Sequence, residues 1–225
     1  QKAKFLPEIA AGRLKAAISF TEPGGGTDLL GNLATAAARV DGGWVLNGEK
    51  IWSSSAHVAD YLLCIARTDK TVEKKHQGLT LFWVPAASEG VKITPLPKLG
   101  MRSMGSCTVV YNNVFVADAN VLAEPNKDWY TLLPTLNNER IMVGAFCLGV
   151  IDGVLEDALA YVMQGKAFGK YIGQFQILQH YIADIATMQT STELMLHYCA
   201  AKQAKGENVG KEANMLQLMA SENAN

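Results

Sequence analysis

The sequence predicts an α+β protein in which a β-rich domain precedes a helical one, and two observations carry that prediction. Up to about residue 122 the apolar residues fall in short runs broken by Gly, Pro and Asn, as in "ADYLLCIART", "GLTLFWVPA", "VKITPLP" and "CTVVYNNVFV", the pattern of strands and turns. From about residue 128 they recur every three or four positions, the spacing of one helix face. Strands followed by long helices make two packed units. Their boundary is expected in the polar segment "AEPNKD", residues 123–128.

Residues 14–124 are expected to form a small antiparallel barrel or sandwich. Within "WVLNGEKIW" the pair Asn47-Gly48 reads as a tight turn between two strands. Residues 125–225 are expected to form an antiparallel helical bundle. A long helix over 135–163 follows from the spacing of Leu136, Met142, Phe146, Val150, Val154 and Leu159. A second covers 174–205, where Lys202 and Lys205 suit the negative end of the helix dipole and Gly206 can take a left-handed cap. A third starts near Gly210. Residues 1–13 read as the end of an earlier helical domain, and "KEANMLQLMASENAN" stops within a helical pattern, so more protein is expected on both sides.

The 225 residues are 49% hydrophobic and 18% charged with a formal net charge of -1, a composition able to bury one large core or two modest ones. Lys and Arg are scattered, which leaves no electrostatic footprint for nucleic acid or an anionic membrane surface and favours small-molecule chemistry. Cys64, Cys107, Cys147 and Cys199 lie far apart in apolar stretches and read as reduced core thiols. The four histidines have no ligand spacing, so no metal is expected. No apolar run approaches the ~20 residues of a bilayer span, and a cytoplasmic location is expected, or the mitochondrial matrix in a eukaryote.

Residues 21–28 read "TEPGGGTD". Three successive glycines call for a turn or a close backbone approach, yet neither a Walker loop nor a dinucleotide fingerprint fits the segment. Taken with "LNGEKIWSSSAHVADYLLCIART", "KLGMRSMGS" and "LNNERIMVGAFCLGVIDGVLEDALAYVMQGKAFGKYIGQFQ", in this order and spacing, it resembles the acyl-CoA dehydrogenase family over almost the entire chain.

The resemblance implies the family's middle β domain and part of its C-terminal helical domain, an FAD cofactor, an acyl-CoA substrate, an electron-transfer flavoprotein as acceptor, and a homotetramer built as a dimer of dimers. The implied reaction removes a proton α to the thioester while hydride leaves the β-carbon, giving a trans-2-enoyl-CoA. By the same resemblance Phe20, Thr21 and Gly26 contact the flavin, Thr27 lies by the flavin and the CoA chain, Trp52 flanks the ring, and Ser54 takes the hydroxyl position near N5. Glu139, the one acid between Asp128 and Asp152, occupies the base position of an isovaleryl- and long-chain-like subset, with Arg140 beside it at the CoA end. Phe168 matches a cofactor-binding position, and Gln176 matches a glutamine that meets a neighbouring subunit's FAD. Gly165 stands where the family has an arginine that reaches the FAD pyrophosphate. An enoyl-CoA reductase, a flavin monooxygenase and a non-catalytic relative are alternatives on the same scaffold.

Overall fold

The computed structural model describes residues 1–122, 124–127 and 129–225; Ala123 and Asp128, which belong to the expected boundary segment, lie outside the described residues. The chain divides into two compact units, residues 1–131 and 132–225.

The first unit opens with helix α1 (Lys2–Ala10) and contains seven strands in one sheet: β1 (Ala16–Ser19), β2 (Ala36–Val40), β3 (Gly43–Ser54), β4 (Tyr61–Arg67), β5 (Leu79–Pro85), β6 (Val91–Pro95) and β7 (Ser106–Ala117), with a one-turn helix α2 (Leu29–Asn32) between β1 and β2. Strand β4 pairs along its length with β5, over Tyr61–Cys64 with β1, and touches β2 only at Arg67, which bends the sheet around its own core. Leu46, Leu62, Phe82, Val109, Val114 and Val116 fill that core and are almost wholly removed from solvent. The sheet is mixed, not antiparallel as expected, because β1 runs parallel to β4 and β2 meets β4 in parallel. The long connection from β1 to β4, which includes α2 and the β2–β3 hairpin, supplies the crossover that parallel pairing needs.

The turn expected at Asn47-Gly48 is also corrected. Residues Gly43–Ser54 form one continuous strand, and the hairpin lies at Asp41-Gly42, where Val40 pairs with Gly43 and Gly42 has φ +70°. Gly48 instead sits at a register shift between β3 and β7 with φ +153°, where a Cβ would stand 2.3 Å from Thr35 Oγ1 and 2.6 Å from its Cα. Both the backbone angle and the contact demand glycine. Gly48→Ala is expected to cost about 1–3 kcal/mol, measured as a lower urea midpoint with an unchanged slope; an unaltered midpoint would contradict that assignment.

The second unit comprises most of α3 (Trp129–Gln164), a short hairpin β8 (Lys166–Ala167) and β9 (Lys170–Tyr171), α4 (Gln176–Ala204) and α5 (Gly210–Asn223). Helix α4 ends as its sequence indicates, with Gly206 at φ +73° and the Glu207 N–H returning to Lys202 O at 3.1 Å. Cys199, Leu216 and Ala220 are buried together, with Ile141 and Cys147 of α3 packed against them. Gly144 permits this approach, since a Cβ there would lie 2.7 Å from Leu216 Cγ. Gly165 follows the last residue of α3, so no helix-propensity cost attaches to it.

Candidate active site

In the first unit the glycine loop leaves β1 and is bound to β3 at three successive residues. Lys50 Nζ donates to Phe20 O at 2.9 Å, the Ile51 N–H donates to Thr21 O at 2.8 Å, and Lys50 Nζ donates to Glu22 Oε1 at 2.8 Å. Lys50 is fully buried and Glu22 nearly so. The Glu22 carboxylate also accepts the Ala34 N–H at 2.6 Å and the Thr35 N–H at 2.9 Å, so one acid closes both ends of the loop. Burial pushes the Glu22 carboxyl up, but attraction to Lys50 and hydrogen bonds from Lys50, Thr35 and Ala34 outweigh it and hold the group below its ordinary value.

That depression ties the fold to pH. A lowered folded-state value contributes stability above the unfolded carboxyl value of about 4.3, and the contribution is lost as pH falls through the folded value. The urea midpoint is therefore expected to fall on acidification below about pH 4, with a shallower fall in Glu22→Gln. Equal acid slopes in the two proteins would remove Glu22 from this role.

Within the loop, Glu22 and Gly25 exchange backbone hydrogen bonds of 3.0 and 3.4 Å, and Asp28 Oδ1 caps α2 by accepting the Gly31 N–H at 2.8 Å. Gly25 is required by the chain itself, since a Cβ would meet Asn32 Cβ at 2.7 Å. Gly24 and Gly26 differ: a Cβ on Gly24 would meet nothing within 4 Å, and one on Gly26 only Thr21 Cγ2 at 3.8 Å. Their backbone therefore faces open space beside the exposed Thr27, with room for a flat ligand against the main chain.

Trp52 lies next to the segment that anchors this loop. Between the pairs Lys50–Val109 and Ser53–Cys107, β3 carries one residue more than β7, a bulge that includes Trp52. Trp52 has φ +62° and is 58% exposed, an uncommon backbone state for a large aromatic residue and one that aims its ring away from the core. Ser54, two residues on, is exposed where β3 pairs with Ser106 of β7. Phe20 is buried and contributes its carbonyl, and Thr21 is half-buried. The fold thus gathers the sequence-selected Phe20, Thr21, Gly26, Trp52 and Ser54 about the β3 anchor, with Thr27 on the same loop.

In the second unit Glu139 and Arg140 lie on α3 at a cavity of about 320 Å³ lined also by Leu136, Val143 and Gln217. Glu139 is exposed and forms no ion pair among the described residues. Arg140 Nη1 donates to Asn137 Oδ1 at 2.9 Å. Phe168 tips the β8–β9 hairpin, 94% exposed with φ +52°, its ring edge-on to Phe175, and Gln176 opens α4. From Glu139 to the end of α3 is roughly 37 Å at 1.5 Å per residue. Glu139 and Phe168 therefore belong to different ends of the unit.

Sequence reasoning missed Glu22 and Lys50 as a pair. A signal was present: Lys50 shares the strand parity of the buried Trp44 and Leu46, and a lysine on the inward face of a strand needs an acid partner. Among the described residues no cluster of His, Cys, Asp and Glu could hold a metal, and no helix is long and apolar enough to cross a membrane. Of the cysteines, Cys64, Cys107 and Cys199 are buried thiols and Cys147 is half-buried.

A curled mixed sheet with an open glycine loop, followed by a bundle with an acid on its first long helix, defines a two-part α+β scaffold. Comparison with known proteins identifies the scaffold. The family model for the acyl-CoA dehydrogenase middle domain matches residues 17–114, and that for the C-terminal domain matches residues 126–225. The chain is 35% identical over 225 residues to the mitochondrial 2-methylacyl-CoA dehydrogenase of Solanum tuberosum, covering 100% of this chain and 54% of that protein. It is 34% identical over 225 residues to the 3-(aryl)acrylate reductase of Clostridium sporogenes, covering 100% of this chain and 59% of that one. The solved structure of PigA with FAD and proline superposes with a TM-score of 0.94 at 27% identity, over 99% of this chain and 58% of that one. The chain belongs to the acyl-CoA dehydrogenase family. It spans about half the length of the curated relatives it matches.

Proposed function

We propose that the protein is an FAD-dependent acyl-CoA dehydrogenase in which Glu139 removes the α-proton of a saturated acyl-CoA. The carrying observation is the Glu139 carboxylate, which has no ion-pair partner among the described residues and is exposed at a cavity whose walls include the apolar Leu136 and Val143. A carboxylate that forms no ion pair among the described residues is free to take a proton from carbon, and apolar walls suit an acyl chain. Arg140, adjacent on α3, would hold the CoA end by charge.

In this reading residues 14–124 provide the flavin and thioester side, residues 125–225 provide the base, and residues 1–13 end a preceding helical domain. The open faces of Gly24 and Gly26 and the outward Trp52 fit the isoalloxazine ring, with Phe20, Thr21, Thr27 and Ser54 around it. FAD, when bound, supplies the acceptor for the hydride leaving the β-carbon. Thr21 and Ser54 would hold the ring edge by hydrogen bonds, and Trp52 would shield it from water. The length of α3 between Glu139 and the hairpin that carries Phe168 favours use of Phe168 and Gln176 by a second copy's cofactor, and the assembly proposed with it is a homotetramer. An electron-transfer flavoprotein is the proposed electron acceptor.

A second reading is favoured by the resemblance to the clostridial reductase: the same scaffold run toward saturation of an enoyl substrate. Incubating the FAD-loaded full-length protein with saturated acyl-CoAs and oxidised electron-transfer flavoprotein separates the two. Enoyl-CoA accumulation by mass spectrometry is the expected result. Its absence, with oxidation of reduced flavoprotein on adding a 2-enoyl substrate, would assign the reductase.

A further inference from the structure

We propose that Glu22, Lys50, Ser53, Ser19 and Tyr111 are positioning residues that hold the Trp52 bulge and the glycine loop in one arrangement before any ligand binds; as a statement about flavin binding this rests on the function proposed above. The bulge is fixed on both flanks. Before it, the buried Lys50 ammonium is shared between Phe20 O and Glu22 Oε1. After it, the buried Ser53 hydroxyl lies 3.3 Å from Ser19 Oγ, which also accepts the Tyr111 hydroxyl at 2.9 Å. Ser19 ends β1, Lys50 and Ser53 lie on β3, and Tyr111 lies on β7, so these contacts tie three strands together under two residues of the bulge.

An aromatic residue at φ +62° in a solvent-exposed bulge has no local reason to remain there. Its own side chain, more than half exposed, contributes little packing to offset the backbone cost. The conformation is held from the flanks, and those flanking groups also fix the carbonyls of Phe20 and Thr21, through which the glycine loop meets β3. Two buried clusters, centred on the neighbouring residues Ser19 and Phe20, therefore set the spacing between the loop face at Gly26 and the ring of Trp52, the spacing a planar ligand would occupy. Preorganised sites of this type lose affinity when the supporting contacts go, even though no contact to the ligand is removed.

The test uses the full-length protein labelled with 5-fluorotryptophan, with the Trp52 resonance assigned by its loss in Trp52→Phe. In the FAD-free Glu22→Gln/Lys50→Met double variant the Trp52 fluorine resonance is expected to shift or split while that of Trp83, in the core, stays in place. The same variant is expected to bind FAD at least tenfold more weakly, with a displaced flavin absorption band, and Tyr111→Phe to show the same changes in smaller degree. An unmoved Trp52 resonance would overturn the proposal. So would a moved resonance with unchanged FAD affinity and spectrum. If the wild-type protein takes up no FAD, the proposed function fails and the fluorine spectra alone decide whether the network holds the bulge.

Discussion

Glu139→Gln is expected to slow acyl-CoA-dependent reduction of bound flavin by about 10²–10⁴-fold, the usual contribution of a positioned general base, while leaving FAD affinity and the urea midpoint in place. The structural reason for expecting an undisturbed fold is that Glu139 is exposed and engages no cation among the described residues. Changes at such positions usually stay within about 0.5 kcal/mol. Glutamine keeps the size and the helix preference and removes only the basic oxygen. Stopped-flow absorbance under nitrogen checks the rate, and equilibrium dialysis the affinity. An unchanged rate would move the base to another residue without altering family membership.

Lys50→Met carries the largest expected stability effect, a loss of about 3–5 kcal/mol, because it leaves a nearly buried carboxylate without its cation. Glu22→Gln/Lys50→Met removes both charges and should recover much of that loss, since the pair's attraction largely offsets its own desolvation. The pattern distinguishes a buried ion pair from an exposed one, whose members each contribute about 0–1 kcal/mol. Urea titration at neutral pH measures both variants. A single variant no less stable than the double would contradict the pairing.

The helical half was legible in the sequence because its signals are local. Three helices follow from the period of apolar residues and from Gly206, and α3 differs from expectation only in starting a few residues earlier, at Trp129. Strand positions in the β half were legible for the same reason, whereas their pairing was not. A Gly after an Asn is the strongest short hairpin signal, and it misled at Asn47-Gly48 because the same residue type also serves a bulge with a close backbone neighbour. The competing Asp41-Gly42 turn lay six residues upstream with an equally good signal. Parallel pairing of β1 with β4 left no local mark, since it depends on how a long connection crosses the sheet.

The site divides in the same way. Motif residues with small or flexible side chains, such as Gly26 and Thr27, could be selected as a string, but the reason for each glycine could not. In the structure Gly25 answers to Asn32, whereas Gly24 and Gly26 leave their faces open. Glu22 and Lys50 were in plain view within the quoted motifs, yet their partnership joins residues distant in sequence and appears when the loop after β1 is laid against β3. Trp52 was selected for its ring; the bulge that aims it needs the β7 register as well.

The most direct measurement of the central claim is an anaerobic titration of the FAD-reconstituted full-length protein with a graded series of saturated acyl-CoAs, read from the flavin absorbance. Bleaching by one class of chain length, lost in Glu139→Gln, is the predicted result. Bound flavin that no saturated acyl-CoA bleaches would contradict it.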